Sequence, residues 1–514
     1  MEFPSVLWPR QILKMPNETF QKSPDFLVDL RLERVIKAII GSKREYNLDP
    51  FYYTPLRDVE TIYYRQEVMK DLENDELLSH IQNFAEKMLV VHRYMKMIEE
   101  LDYEYNKKGW FLEAVLMYCK TVNDLAFDLN GCELKSRGML NFRDYVNAYI
   151  HSEEFQEMIH KATKIKEALS KIKYCVIIGH GGKVSVKRYS GESDYSIDLE
   201  KTFSKFEYGE RCEDYIFEMR ERYGMSHVEA KILEFVIRLY PEPFNMLKRF
   251  CETYTYDNFM DEAILTFERE IQFYVAYLEF ISSFKRSGLP FCYPEVADDK
   301  FLNVHDGFDM ALAYSSLGQK KIVLNDFFLK DSERIIVVTG PNQGGKTTFA
   351  RMFGQIHYFA SLGLPVSARK ARVFLFDRIF THFEREEDIQ NLRSKLEDDL
   401  IRIHGILNAA SSKSIIILNE IFSSTTLHDG IVLSKKIMER ILELDCLCVW
   451  VTFIDELSKM GDKVVSMVGT VDYRDPTVRT FRIVRKPANG LAYAISLAEK
   501  YDLTYEKIKE RVKK

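Results

Sequence analysis

The stretch "VVTGPNQGGKTTF", residues 338–350, limits the fold more than any other part of the chain. An apolar run stops at a glycine, and Gly340 to Thr347 follow the spacing G-x-x-x-x-G-K-T. Glycines at those places let the backbone turn so that successive N–H groups face phosphate oxygens. A lysine one residue after the last glycine reaches the β- and γ-phosphates, and the hydroxyl beside it can ligate Mg²⁺. The following run "FARMFGQIHYFASLG" suits a helix, whose N-terminal dipole favours the same anion. The motif therefore needs a strand before it and a helix after it, and both are written in the sequence.

Such a site needs a second strand that ends in polar side chains. "SIIILNEIF" supplies one, running apolar through Leu418 and then presenting Asn419 and Glu420. Phosphate-loop proteins usually carry an aspartate at the first of these positions to hold the Mg²⁺ shell. Asn419 offers an oxygen without a charge. Glu420 is placed to orient or deprotonate an attacking water.

After residue 300 short apolar runs, "RIIVVTG", "ARVFLF", "KSIIILNE" and "CLCVWVTF", alternate with helical stretches, which predicts a mostly parallel sheet with helices on its faces. Before residue 295 the texture is helical. Leu77, Ile81, Phe84, Met88, Val91, Met95 and Ile98 recur with a seven-residue period, as do Ile264, Phe267, Ile271, Tyr274, Leu278 and Ile281. The second run stops at "SGLPFCYPEV". Between them "YCVIIGHGGKVSVKRY" reads as a β-hairpin whose "GHGGK" is a turn, and Ser226 and Glu229 have capping-box spacing ahead of another helix. The expected class is α + α/β. An N-terminal segment (1–50) precedes an elongated helical domain (51–295) with a hairpin insertion near 172–205, and a nucleotide domain follows (300–514).

With 514 residues and 46% hydrophobic content the chain can build more than one core. A net charge of −6 gives no global basic footprint, so any nucleic-acid contact has to come from local patches or from assembly geometry. Eight cysteines include no C-x-x-C pair, and the closest two, Cys446 and Cys448, lie in an apolar run. That argues against zinc and for reduced thiols in the cytoplasm. The start "MEFPSVLWPRQILK" lacks the apolar core of a signal peptide, and no stretch is long and apolar enough to predict a membrane span.

Several segments together resemble the MutS family. "TGPNQGGKTTFARM" is similar to its phosphate loop. "ASLGLPVSARKARVFLFDRIFTHF" and "LNEIFSSTTLHDG" resemble the segments that follow, the latter keeping the family's Asp-Gly at Asp429 and Gly430. "VLNDFFLKDSERI" is similar to the adenine-side strand, "TPLRDVETIYYRQEVMKDL" to the lever and "NGLAYAISLAEKYDLTYEKIKERV" to the end of the ATPase domain. The likeness is dense over 320–514 and patchy before that. It implies an ABC-type P-loop ATPase domain joined to a helical lever. ATP would lie on Gly340, Pro341, Asn342, Gln343, Gly344, Gly345, Lys346, Thr347 and Thr348, with Leu324 and Asn325 on the adenine side. Lys346 and Glu420 would be catalytic, and Thr347, Asn419 and Glu420 would attend the Mg²⁺. "LRSKL" aligns with the family's G-R-S-T-F and retains Arg393 and Ser394. In the family that serine sits over the ATP of the other subunit, so Ser394 implies composite sites in a homodimer.

Two departures stand out. Where the family has Ala-Thr-His, with the histidine beside the γ-phosphate, this chain has Val451-Thr452-Phe453. Together with Asn419 this predicts slow hydrolysis. Lever-like sequence begins near residue 50, so the mismatch-reading domain with its Phe-x-Glu wedge is expected to be missing. Phe84-Ala-Glu86, Phe111-Leu-Glu113 and Phe155-Gln-Glu157 match that tripeptide only by chance. The leading expectation is an ATPase whose levers open and close on double-stranded, unusual or branched DNA, with Lys183, Lys187 and Arg188 as candidate phosphate contacts. The alternative is an ATP-gated clamp on a ribosome or protein partner. A transporter motor is disfavoured, because the LSGGQ signature is absent.

Overall fold

The computed structural model describes residues 5–10, 24–179, 183–192, 224–317, 321–384, 395–472, 474–475, 478–488, 504–505 and 508–509. The chain forms two compact units. One takes residues 1–2, 74–134 and 140–268, and the other 3–73, 135–139 and 269–514.

The first unit is helical. Asn74 caps the helix Asp75–Glu100 by accepting from the backbone N–H of Glu76 at 2.9 Å and of Leu77 at 3.3 Å. Every member of its seven-residue stripe except Met95 is buried. The partner helix, Glu104–Gly131, returns antiparallel: His80 meets Asp128, Lys87 meets Asp124 at 2.8 Å, and Tyr94 lies against Trp110. Phe142 stacks on Phe267 with ring centroids 3.5 Å apart. Phe84, Phe111 and Phe155 are all core residues, so none of the three Phe-x-Glu matches presents a wedge. Strands β1 (Tyr174–Ile178) and β2 (Val184–Arg188) pair antiparallel as the expected hairpin. Helix His227–Leu239 opens with the capping box read at Ser226 and Glu229.

The second unit holds two sheets. Its strands are β3 (Glu295–Ala297), β4 (Leu302–Gly307), β5 (Asn325–Leu329), β6 (Ile335–Thr339), β7 (Lys370–Phe374), β8 (Ile379–Phe383), β9 (Ile415–Asn419), β10 (Leu447–Val451), β11 (Val464–Val471) and β12 (Arg479–Arg485). One sheet runs β12-β11-β6-β10-β9-β8, parallel throughout except for the antiparallel edge strand β12. The other is mixed, in the order β3-β7-β4-β5. This corrects one expectation: "ARVFLF" does not join the strand carrying the phosphate loop but forms β7 of the mixed sheet. Its apolar run matched the others, and pairing partners are not visible in a run of valines and phenylalanines.

Strands β6, β9 and β10 are buried along their whole length, as a sheet covered on both faces requires. Period-two alternation divides them. Ile335, Val337, Ile416, Leu418, Cys448 and Trp450 pack with Ile437, Met438 and Ile441 of helix Leu427–Leu444 and with Ile403 of helix Lys395–Ala409. Helix Lys346–Ser361 is buried from Phe349 to its end, apart from Arg351. Its Gly354 admits no Cβ, which would fall 2.5 Å from Leu30 and 2.9 Å from Ile417. Gly363, beyond its C-terminus at φ 78°, lies against Arg65, where a Cβ would come within 2.7 Å. The cysteines among the described residues are unpaired, and Cys446 and Cys448 are buried.

Candidate functional site

The loop between β6 and helix Lys346–Ser361 closes on itself. Gly344 donates its N–H to the Pro341 carbonyl at 3.2 Å, and Gly340, Gln343 and Gly345 take positive φ of 123°, 58° and 91°. Gly340 can only be glycine, because a Cβ would sit 2.8 Å from the backbone nitrogen of Gly469 on β11. Pro341 and Gly344 are buried, and Asn342 and Gln343 stand exposed at the tip.

Lys346 lies at the first turn of the helix and turns back over the loop. Its Nζ donates to the carbonyls of Gly340 and Pro341, each at 3.2 Å, and sits 3.6 Å from Oε1 of Glu420. The Phe453 ring centroid is 4.5 Å from the same ammonium. The lysine side chain is 3% exposed, whereas Phe453 is 52% exposed. Burial holds the ammonium below its usual range, while the Glu420 carboxylate pulls it back up.

Asn419 ends β9 and Glu420 follows it. The Thr347 hydroxyl donates to Oδ1 of Asn419 at 2.9 Å. Glu420 donates its backbone N–H to the Val451 carbonyl at 2.9 Å, which ties the end of β9 to the end of β10. Glu420 and Phe422 both have left-handed backbones, with φ of 54° and 61°. Side-chain carboxylates seldom ride on such a turn, and strain of this kind is typical where a group is held for a purpose. Thr426 then caps helix Leu427–Leu444 by accepting from the N–H of Asp429 at 3.2 Å.

Leu324 and Asn325, expected on the adenine side, lie at the start of β5. Asn325 donates from Nδ2 to the Phe481 carbonyl at 3.1 Å and accepts from the Ile483 N–H at 2.7 Å, so its amide fastens β5 to β12. Leu324 and Asn325 line a cleft of about 210 Å³ with Phe328, Met467 and Ile483. Thr348 sits on the first turn of the helix, 3.4 Å from the Arg351 guanidinium. Arg393 and Ser394 lie outside the described residues. Sequence reasoning missed Arg479 and Phe481. Arg479 donates from Nε to the Asn342 carbonyl at 3.2 Å, and the Phe481 ring flanks Gly345. Both belong to β12, and nothing in its sequence says that this edge strand crosses over the loop.

Among the described residues no three His, Cys, Asp or Glu side chains form a metal-binding group, and no helix is long and apolar enough to cross a membrane. Of the hairpin cations, Lys187 pairs with Glu192 at 2.6 Å, and Arg188 donates to the Leu239 carbonyl at 2.6 Å while its guanidinium lies over the Tyr240 ring.

Residues 336–513 match the family described as MutS domain V. The chain is 26% identical over 383 residues to the DNA mismatch repair protein MutS of Fervidobacterium nodosum, covering 72% of this chain and 43% of that protein. Its counterpart from Orientia tsutsugamushi (strain Boryong) is 30% identical over 217 residues, 41% of this chain and 24% of the relative. The Thermotoga maritima protein of that name is 33% identical over 141 residues, 27% and 18% respectively. In each case the matched stretch spans less than half of the relative's own length.

Proposed function

The chain belongs to the MutS family, and from that premise we propose that it is a slow ATPase acting as a homodimer on double-stranded DNA of unusual or branched form. The observation that carries the reading is the convergence of Lys346, Thr347, Asn419 and Glu420 where β6 and β9 of the parallel sheet end. Open α/β sheets take ligands at the carboxyl ends of their strands, where helix N-termini point outward.

In this proposal the triphosphate lies along residues 340–348, with its base on the side of Leu324 and Asn325. Lys346 neutralises the β- and γ-phosphates. A magnesium ion fits the donors present, because the Thr347 hydroxyl and the Asn419 amide oxygen are both hard oxygen ligands and converge within 2.9 Å. When bound it supplies charge to the phosphate oxygens. Glu420, fixed through its own N–H, takes the proton of the attacking water. Hydrolysis is slow for two reasons. Asn419 brings no charge to the metal side, and Phe453 offers the γ-phosphate no donor. Ser394 completes the site of the partner subunit, and the helical residues 51–295 carry the nucleotide state to the DNA. The protein works in the cytoplasm.

The reading is tested by ATP turnover of the full chain alone and with homoduplex, mismatched and four-way branched DNA. Acceleration by branched DNA above that by homoduplex is expected. If no DNA alters the rate while ATP still binds, the DNA assignment falls and a ribosome or protein partner takes its place.

A further inference from the structure

Strand β12 passes beside the phosphate loop. Arg479 reaches the Asn342 carbonyl, Phe481 flanks Gly345 from a left-handed backbone with φ of 57°, and Ile483 donates its N–H to Asn325. The strand is held there by its antiparallel pairing with β11, where Arg479 stands opposite Val471 across a bulge. β11 in turn is fixed to the loop's own strand, Val468 opposite Thr339. So the sheet itself, and not a chance side-chain excursion, brings the Arg479 guanidinium to the loop tip.

The charges at the site differ from those of an ordinary phosphate loop. The Asp that usually follows the second strand would add a second carboxylate beside Glu420. Here that position is Asn419, and the cations Lys346 and Arg479 together outnumber Glu420. Arg479 is felt at Lys346, where its charge adds to burial in disfavouring the ammonium. Lys346 and Arg479 bring two cations to the N-terminus of a helix, an arrangement suited to a polyphosphate chain.

We propose that Arg479 is a second phosphate-binding cation, supplied from β12 of the same subunit, and that it lets the site hold a nucleoside polyphosphate with reduced dependence on Mg²⁺. The inference rests on the nucleotide reading given above. The guanidinium keeps the loop tip in place through the Asn342 carbonyl and lends its charge to the outer phosphates. This offsets the charge that Asn419 does not recruit through a metal ion.

The test is equilibrium binding of a fluorescent ribose-labelled ATP to the full chain, in Mg²⁺ and in EDTA, with Arg479→Ala, Arg479→Lys and Lys346→Ala and with melting curves for each. Removal of EDTA-resistant binding is expected for Arg479→Ala, about tenfold or more in affinity without the metal and less with it, the scale of one charge-assisted hydrogen bond. Arg479→Lys is expected to recover part of the loss. Unchanged affinity of Arg479→Ala in both buffers overturns the proposal, as does a loss confined to Mg²⁺. A folded Arg479→Lys as weak as Arg479→Ala also overturns it, since the charge would then contribute nothing. Wild type that binds no nucleotide in either buffer sinks the nucleotide reading itself. Wild-type binding that Lys346→Ala abolishes while Arg479→Ala leaves it untouched sinks only this inference.

Discussion

Two buried cations of the same unit, Arg65 and Lys346, are solvated in the same way and put to opposite uses. Arg65 is fully buried and donates to the carbonyls of Leu7 and Leu362, both at 3.2 Å, with its guanidinium 4.5 Å from the Trp8 ring and 5.1 Å from Phe273. Lys346 likewise rests on two carbonyls and one aromatic face. Burial lowers both, Arg65 to about 10. The difference lies in what covers them. Phe273 is buried in the core, whereas Phe453 is half in solvent. Arg65 binds together the N-terminal strip, helix Val59–Asp71 and the end of the phosphate-loop helix. Lys346 opens that braced helix and lies, 3% exposed, beneath the Phe453 ring. A charge enclosed by core side chains serves as a fastener; we propose that the other, covered only by a ring half in solvent, is the one a ligand reaches.

Truncating each side chain in turn separates the two roles most visibly. Arg65→Ala strands two backbone carbonyls and removes a cation whose charge acts on the buried Glu270 carboxylate, a loss of roughly 3–5 kcal/mol in stability. Lys346→Ala is expected to cost less, about 1 kcal/mol, because the ring above its two loop carbonyls is half in solvent and water can replace the ammonium, yet to abolish ATP binding. Denaturant unfolding with nucleotide titration checks both. Equal destabilisation by the two variants would erase the distinction.

A smaller effect sharpens the fastener side. Glu270 accepts from the Ser5 hydroxyl at 2.8 Å and from the Val6 N–H at 2.9 Å, but burial outweighs these bonds and raises its carboxyl to about 7. Its folded pKa lies above the unfolded one, so its contribution to stability is complete below the ordinary carboxylate range and is lost as pH rises to about 7. The wild type is expected to lose at most about 3 kcal/mol across that window relative to Glu270→Gln. A variant whose stability tracks the wild type at every pH would contradict this.

Much of the plan of both units was legible. Gly340, Lys346 and Thr347 announced the strand–loop–helix, because that spacing has one backbone solution. The stripes at 77–98 and 264–281 announced long packed helices, and the Ser226 capping box lies where its spacing put it. What the sequence hid was long-range pairing. β7 read like its parallel counterparts yet joined another sheet, and β12 gave no sign that Arg479 would reach Asn342. Arg65, Trp8 and Leu362 are distant in sequence, and no local pattern marks a buried arginine. Phe453 was visible as a departure from a family pattern, but its place against the Lys346 ammonium required the fold.

We propose that Glu420 is the base of a slow, magnesium-dependent ATPase centred on Lys346. It is tested most directly by phosphate release from wild type and Glu420→Gln, alongside ATP binding by each. Slow turnover that EDTA and the substitution both eliminate is expected, with binding retained in Glu420→Gln. Turnover undiminished in Glu420→Gln would contradict it.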